Sequence, residues 1–257
     1  MSRASLAAAA ACVAFAAVPV RGGAADESGR ALAALRVATA AERVLKLHAQ
    51  LGQGLLAQRS RRRLNEALVQ LDASVRAIGV PASPPELHES AALLAILSAQ
   101  YRARAQRPPT RDAARALGER AEEIAWESAK VAHAASPAAP LAVRAEQAAA
   151  LAERIGRLVV WQSWGIAPTN GEEALRRARS DLASELTDLR QHGETDATID
   201  AELGVAENQA SFLLVDSAGG DAGGTTRARE AELLAKASDN AAESLERAST
   251  LLAAAGL

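Results

Sequence analysis

Two segments of this sequence carry side chains whose types and spacing could bind a small anion. Arg36 and Arg43 stand one heptad apart beside an apolar seam, so a helix places both on one stripe. The planar guanidinium fork offers paired donors that match a planar oxyanion. In the second segment, two tryptophans three residues apart share a helix face and could line a ligand cavity. The predicted ligand-binding set is Arg36, Arg43, Arg154, Arg157, Trp161 and Trp164.

A structural interpretation of the same residues stays open beside the functional one. The arginines could form ion pairs with Glu42 or with a neighbouring helix, in place of binding a ligand. The tryptophan pair could be the largest part of a hydrophobic core, as paired aromatic residues commonly are. Trp126 is expected either in the core or at a contact between two copies of a repeat.

The motifs of common enzyme and metal sites are missing from the sequence. It has no H-E-x-x-H, no G-x-S-x-G, no C-x-x-C-H and no phosphate-binding loop. The glycine-rich run Gly219–Gly224 lacks the Lys-Ser/Thr ending of such a loop and is expected to be flexible. The four histidines fall on different segments: His48, His88, His133 and His192. We therefore expect no enzyme, no catalytic residue, no metal and no cofactor.

The composition favours helix along almost the whole chain. The 257 residues are 49% hydrophobic but only 2% aromatic, and alanine and leucine fill the apolar quota. A formal net charge of -2 gives no basic field for nucleic acid. One basic cluster, Arg59–Arg63, could touch anionic lipid headgroups or a partner, although a solvated turn is the simpler interpretation. The sequence predicts an all-α protein.

The first 25 or so residues have the pattern of a secretory signal peptide. Arg3 precedes an apolar stretch, Leu6 to Val18, which at about 13 residues is too short to span a membrane. Small residues near Ala25 offer cleavage sites, and the only cysteine, Cys12, lies before them. We expect a cysteine-free mature protein that is soluble in the periplasm.

Regular breaks divide the remaining chain into eight helical segments that fall into two sets of four. An offset of 111 residues aligns 41–46 with 152–157 and Leu71 with Leu182. In the last helices an offset of 116 pairs Glu127 with Glu243, and the glycine-rich run accounts for the increase. We predict two tandem antiparallel four-helix bundle units, 26–136 and 141–257, joined by a proline-containing hinge.

Local signals set the expected limits of these segments. A break is expected at Gln58–Arg63, and prolines at 84 and 85 should open the third helix. Thr110 and Thr226 are expected N-caps, and Thr169 with Glu172 resembles a capping box. Phe212 is expected to fill the place of Tyr101 in the second copy.

Several short stretches together resemble a known family. Residues 41–46 and 152–157 resemble the S-Q-R-I-A-K end of that family's first helix, and 164–166 resemble the W-G-L that often follows. Residues 202–212 resemble the E-L…E-x-Q-W-x-F run of its third helix. The family is the PilJ-type N-terminal domain of type IV pilus methyl-accepting chemotaxis transducers, related to nitrate/nitrite sensor domains, here as a degenerate tandem repeat.

The resemblance implies a sensory helical bundle in which an arginine of the first helix binds the anion. The family's upstream arginine pair maps to Arg36 and Ala38 in one copy and to Gln147 and Ala149 in the other, so only Arg36 remains. We expect a periplasmic ligand-binding protein without an output module. It would bind a small anion such as nitrate or nitrite, or a membrane receptor or transporter, and no nucleic acid; a homodimer is left open. The alternative is a scaffold that docks on another envelope protein through helix faces.

Overall fold

The computed structural model describes residues 24–79, 85–138, 140–166, 170–192, 196–215 and 224–257, and within them every regular element is a helix. The prediction of an all-α protein is therefore confirmed. The eight helices are α1 (Ala24–Gln53), α2 (Ala57–Ile78), α3 (Pro85–Ala105), α4 (Arg111–Ala135), α5 (Leu141–Ser163), α6 (Gly171–Gln191), α7 (Ala197–Leu214) and α8 (Gly224–Ala255). The predicted signal segment, including Cys12, lies almost wholly outside the described residues, as does most of the glycine-rich run.

Most helix limits follow the expected breaks. Thr110 caps α4, since its hydroxyl accepts a hydrogen bond from the Ala113 N–H at 3.1 Å. Pro85 is the first residue of α3, where its missing N–H costs nothing. Thr226 is not an N-cap, because α8 already begins at Gly224. At α6 the residue before the helix is Asn170, whose side chain makes no capping bond, and Thr169 lies outside the described residues.

The expected break at Gln58–Arg63 is wrong, because this run forms the first two turns of α2. The chain turns earlier, at Gly54, whose φ of 72° is readily adopted only by glycine. Two backbone bonds close the end of α1: Gly54 N–H donates to Leu51, and Leu55 N–H donates to Gln50. The glycine conformation, and not the change in side-chain polarity, decides where α1 ends.

The packing centres on α1 and α5, which lie side by side. Contacts between them run in the same direction along both helices, from Thr39 with Glu146 to Gln53 with Ser163. Around this pair, α1 packs on α2 and α4, and α5 packs on α6 and α8. The hairpin α3–α4 has its counterpart in α7–α8. Each helix contact within α1–α4 is thus repeated four helices later, as a duplication predicts, while the division into two units stays a prediction.

Burial refines the alignment of the two sets of helices. The offset of 111 places buried Leu71 on buried Leu182, as expected. In α4 and α8, however, buried positions coincide at an offset of 117, which pairs Ile124 with Ala241, so the expected 116 is off by one. The offset of 116 aligned identical residue types in α4 and α8, whereas the offset of 117 aligns the residues that each helix buries.

Two aromatic residues are placed differently from expectation. Trp126 was expected in the core or at a copy contact but is 68% exposed on the outer side of α4. Phe212 was expected to match buried Tyr101, yet it is 57% exposed, and Leu213 takes the buried place. Tyr101 itself is fully buried and donates its hydroxyl to the Ala41 carbonyl at 2.6 Å. In a helix one residue of misalignment turns a side chain by about 100°, which is enough to move it out of the core.

Close contacts around glycine give a test of the core. A Cβ at Gly118 would stand 2.2 Å from a ring carbon of buried Trp161, and nothing lies within 4 Å of a Cβ at Gly29 in α1. We expect Gly118→Ala to lower the free energy of unfolding by about 1–3 kcal/mol, despite alanine's better helix propensity. Gly29→Ala should be neutral or slightly stabilising. Urea unfolding of both variants checks the pair, and equal stability would contradict the described packing.

Candidate functional site

The repeated A-E-R motif comes together where α1 contacts α5. One copy supplies Glu42, Arg43 and Lys46, and the other supplies Glu153, Arg154 and Arg157. All of these except Arg154 are almost fully buried. Charges withdrawn from water in this way need partners, because an unpaired buried ion carries a large desolvation cost. The contacts of each cation therefore decide what the site can do.

Lys46 is fully buried and has three partners. Its Nζ lies 2.7 Å from Asp239 Oδ1 and 2.7 Å from Ser238 Oγ, and it forms an ion pair with Glu153 of the facing helix. Two of the three N–H donors of the ammonium group are used in hydrogen bonds to Ser238 and Asp239, and the negative charge of Glu153 lies beside it as an ion pair. Gly156 makes room for this arrangement, because a Cβ there would stand 2.2 Å from Ser238 Oγ and 3.1 Å from the Lys46 chain.

Arg157 occupies the matching position in the other copy and makes the matching contacts. Its Nε lies 2.7 Å from Glu42 Oε2, and its Nη2 lies 3.0 Å from Glu122 Oε1. The guanidinium also stacks over the ring of Trp161, 5.1 Å from its centre. Glu42 of α1 thus forms an ion pair with Arg157 of α5, and Glu153 of α5 forms one with Lys46 of α1. A second carboxylate comes from α4 for Arg157 and from α8 for Lys46.

Arg43 and Arg154 are also engaged by protein groups. Arg43 donates from Nε to Glu153 at 2.7 Å, from Nη1 to Gln70 at 2.9 Å and from Nη2 to Glu246 at 2.7 Å. Arg154, which is more exposed, pairs with Glu122 at 2.9 Å. Arg43, Arg154 and Arg157 of the predicted anion site therefore face carboxylates. An added anion would meet both the occupied donors and this negative charge.

The fourth predicted arginine, Arg36, is placed differently. Its side chain is 34% exposed and lines a groove of about 1010 Å³ between α1, α2, α7 and α8. Its Nη2 donates to Thr250 at 3.1 Å, and its Nε lies 3.4 Å from Glu146. The groove also carries Arg247 and three carboxylates, Glu202, Glu243 and Glu246. Among the described residues, Arg36 is thus a predicted site residue that lines a groove.

The tryptophans lie in the interior contacts of the bundle. Trp161 is buried, with its ring against Gly118, and Trp164 packs across Gly52 at the end of α1. Both rings therefore take part in packing between helices. Among the described residues there is also no group of three or more histidine, aspartate or glutamate side chains arranged to hold a metal ion.

Burial shifts the pKa of several carboxyls in this region. Desolvation raises the pKa of Glu42, opposed by the charge of Arg157. Burial would also raise the pKa of Asp239, but Lys46 and Arg63 outweigh it and hold that pKa below its ordinary value. Glu146 lacks such a dominant cation: burial and the charge of Glu246 raise its pKa to about 7, against Arg36 and the Thr39 hydroxyl.

Sequence reasoning identified the motif and named Glu42 as a possible ion-pair partner, but it missed three other carboxylates. Glu146, Glu153 and Asp239 were not candidates, although all three are buried and contact the motif's cations. A usable signal existed for Glu146, which stands in a run of alanines on the apolar face of α5. A carboxylate in such a position needs a partner across the interface. Asp239 carries no such signal, because its neighbourhood in α8 is polar.

Comparisons with protein-family models, with curated proteins and with solved structures found no match. The likeness to the PilJ-type domain therefore stays a prediction from short motifs. None of the helices in the described part of the chain has an apolar stretch that could cross a bilayer.

The buried lysine provides a test of the ion-pair network. We expect Lys46→Met to lower the free energy of unfolding by about 3–5 kcal/mol, because Glu153 and Asp239 would lose a shared cation in a buried position. As a control, Arg62→Met removes an exposed pair with Glu66 and should cost less than about 1 kcal/mol. Denaturant unfolding of the two variants measures the difference, and similar small losses would show that the network contributes little.

Glu146 gives a test by pH. Its pKa is raised from 4.5 to about 7 in the folded protein, so the folded state binds this proton more tightly than the unfolded chain does. The contribution of this site to stability therefore declines as pH rises from about 4.5 through 7. Glu146→Gln should remove that decline and stabilise the protein at pH 8 by up to about 3 kcal/mol. Unfolding curves across the pH range check this; a variant with the parent's pH dependence would refute it.

Proposed function

We propose that this chain is a structural protein of the bacterial envelope that docks on a partner protein through its outer helices. The observation that carries the proposal is the pairing of Arg43, Arg154 and Arg157 with carboxylates. With its cations occupied in this way, the contact between α1 and α5 serves to hold the bundle together. The proposal assigns the chain no catalytic activity.

The exposed apolar side chains support docking through the outer helices. Almost all of the large ones lie on the hairpins α3–α4 and α7–α8, away from the central pair: Leu93, Ile96, Trp126, Val205, Phe212 and Leu233. Single exposed aliphatic residues are ordinary, but an exposed tryptophan is typical of interfaces, where aromatic side chains supply much of the binding energy. Trp126 is therefore the residue most suited to be an anchor.

The envelope location is supported by the N-terminal pattern of Arg3 followed by Leu6 to Val18. Export to the periplasm also suits a chain whose one cysteine precedes the expected cleavage site.

A second candidate is a small-ligand binder, and the position of Arg36 favours it. This arginine reaches the groove, and among the described residues its Nη1 has no hydrogen-bond acceptor. The groove wall carries two arginines and three glutamates. Because the negative charges outnumber the positive ones, the wall does not suit a simple anion such as nitrate. A ligand with both signs of charge, such as an amino acid, fits that wall better. The same groove could also serve a sensory role of the kind expected from the family resemblance.

Site-specific photo-crosslinking in intact cells tests the docking proposal. A photoreactive amino acid at Trp126, Ile96 or Phe212 should give a discrete adduct with one partner protein, because these side chains are exposed and apolar. The same amino acid at Arg177, which is exposed and polar on α6, serves as the control and should give none.

Two results would count against docking. Adducts of equal yield from Arg177 and from the apolar positions would show collision, not binding. A rise in melting temperature with glycine, acetate or nitrate that Arg36→Ala abolishes would favour the ligand-binding candidate, since a ligand that binds only the folded state stabilises it.

A further inference from the structure

Three connections of the chain meet at one end of the bundle and are tied together there. They are the α1–α2 turn, the α3–α4 loop and the start of the α5–α6 connection. The side-chain amide oxygen Oε1 of Gln53 accepts from the Ser163 hydroxyl at 3.0 Å, and the ring of Trp164 lies across Gly52. The backbone of Arg107 lies beside the buried ring of His48.

Arg111 completes this end, since its guanidinium stands 4.0 Å from the Cβ position of Gly165. We call this end, formed by residues 52–62, 106–111 and 163–166, the basic tip. Its backbone is fixed by contacts between helices that are distant in sequence, so the side chains it carries form one surface.

Arginine is the most frequent charged residue at this end of the bundle, although α4 and α6 begin there with Asp112, Glu172 and Glu173. Segments 47–65 and 101–111 together contain eight arginines and no acidic residue. At the opposite end of the bundle, the described segments 185–192 and 196–202 together hold five acidic residues and one arginine. Arg144 at the start of α5 contacts Glu185 and Asp188, which confirms that this segment lies at the far end. The small net charge of the chain therefore conceals a strong separation of charge along the bundle.

The arginines of the basic tip are available for binding, unlike those at the centre. Within the described residues, Arg61, Arg107 and Arg111 are exposed and have no carboxylate within 4.0 Å. Arg59 and Arg62 have only long contacts, at 3.5 Å to Asp239 and 3.6 Å to Glu66. Guanidinium groups held at one end without partners attract phosphate groups, and the attraction falls with added salt.

Apolar side chains accompany these arginines. Leu55 and Leu56 form the α1–α2 turn and are both partly exposed, as is Trp164 beside them. Leu56 adopts a left-handed conformation with φ 48°, which a leucine rarely takes. Arginine together with leucine and tryptophan at one tip is the combination that suits the headgroup region of a bilayer, where the cations meet phosphates and the apolar groups enter the boundary with the acyl chains.

We propose that the basic tip binds the surface of a membrane that contains anionic lipids, with the helices standing away from that surface. Charge separation sets this orientation, because the acidic end is repelled by the same surface that attracts the tip. A nucleic acid fits less well, since the basic residues form a single end and not a stripe along the molecule. This binding goes beyond the docking of a partner protein, which uses other helices.

Vesicle cosedimentation of the full chain tests the proposal. The protein should bind phosphatidylcholine vesicles that include phosphatidylglycerol more tightly than pure phosphatidylcholine, and salt should weaken the difference. Arg61→Glu and Arg107→Glu should each reduce binding to the anionic vesicles about fivefold or more. The matched control is Arg76→Glu, which makes the same charge change at an exposed position at the other end of α2. Residues 1–23 are identical in every variant, so differences between variants report on the tip.

A further variant separates the apolar contribution from the charge. Leu56→Asn removes the apolar side chain and introduces a residue that adopts the left-handed conformation more readily than leucine does. This variant should bind vesicles more weakly, with no loss of helix content by circular dichroism. Equal losses in Arg61→Glu and Arg76→Glu would overturn the proposal. The absence of binding to anionic vesicles would also overturn it, including the case in which the tip binds inorganic phosphate or an acidic polypeptide but not vesicles.

Discussion

The reciprocal ion pairing between α1 and α5 is the constraint on which the rest of the arrangement depends. Glu153 forms ion pairs with Lys46 and Arg43, while Glu42 forms an ion pair with Arg157, all in nearly full burial. Such pairs add little net stability compared with apolar packing, because desolvation offsets most of the attraction. Their effect is on register, since sliding either helix by one turn would leave several buried charges without partners. The flanking helices then pack on a central pair whose alignment is already set.

The all-helical fold and most helix limits could be predicted because they depend on local chemistry. Proline at 85, the threonine cap at 110 and the prolines between α4 and α5 act within a few residues of where they stand. The end of α1 was misplaced because a run of arginines looks like a surface turn, whereas the glycine conformation at Gly54 decides it. The burial of Trp126 and Phe212 was misjudged for a different reason. Aromatic character favours the core, but the phase of the helix determines which side faces it.

The position of the candidate site could be predicted from the sequence, but the contacts of its cations could not. The repeated A-E-R motif marked the segments that meet, because repetition shows in the sequence alone. What the motif's cations contact depends on helices far away in the chain, as with Asp239 for Lys46 and Glu122 for Arg157. No pattern in the neighbouring sequence predicts which distant carboxylate will pair with a given cation. The arginines that stay available for binding are instead those near the ends of helices, where no neighbouring helix supplies a carboxylate.

Gly156 makes the contact between α1 and α5 asymmetric. It stands where the first copy has Leu45, and its missing side chain admits Ser238 beside Lys46. On α1 the equivalent residue keeps its side chain. The cation that matches Lys46 is Arg157, which stacks on Trp161, and the ring of Trp161 occupies the space left at Gly118. The surfaces that α1 and α5 present to each other are therefore not alike. Because a side chain at position 156 would meet Ser238 and Lys46, the α1 sequence could not take the place of α5 in this contact without displacing them.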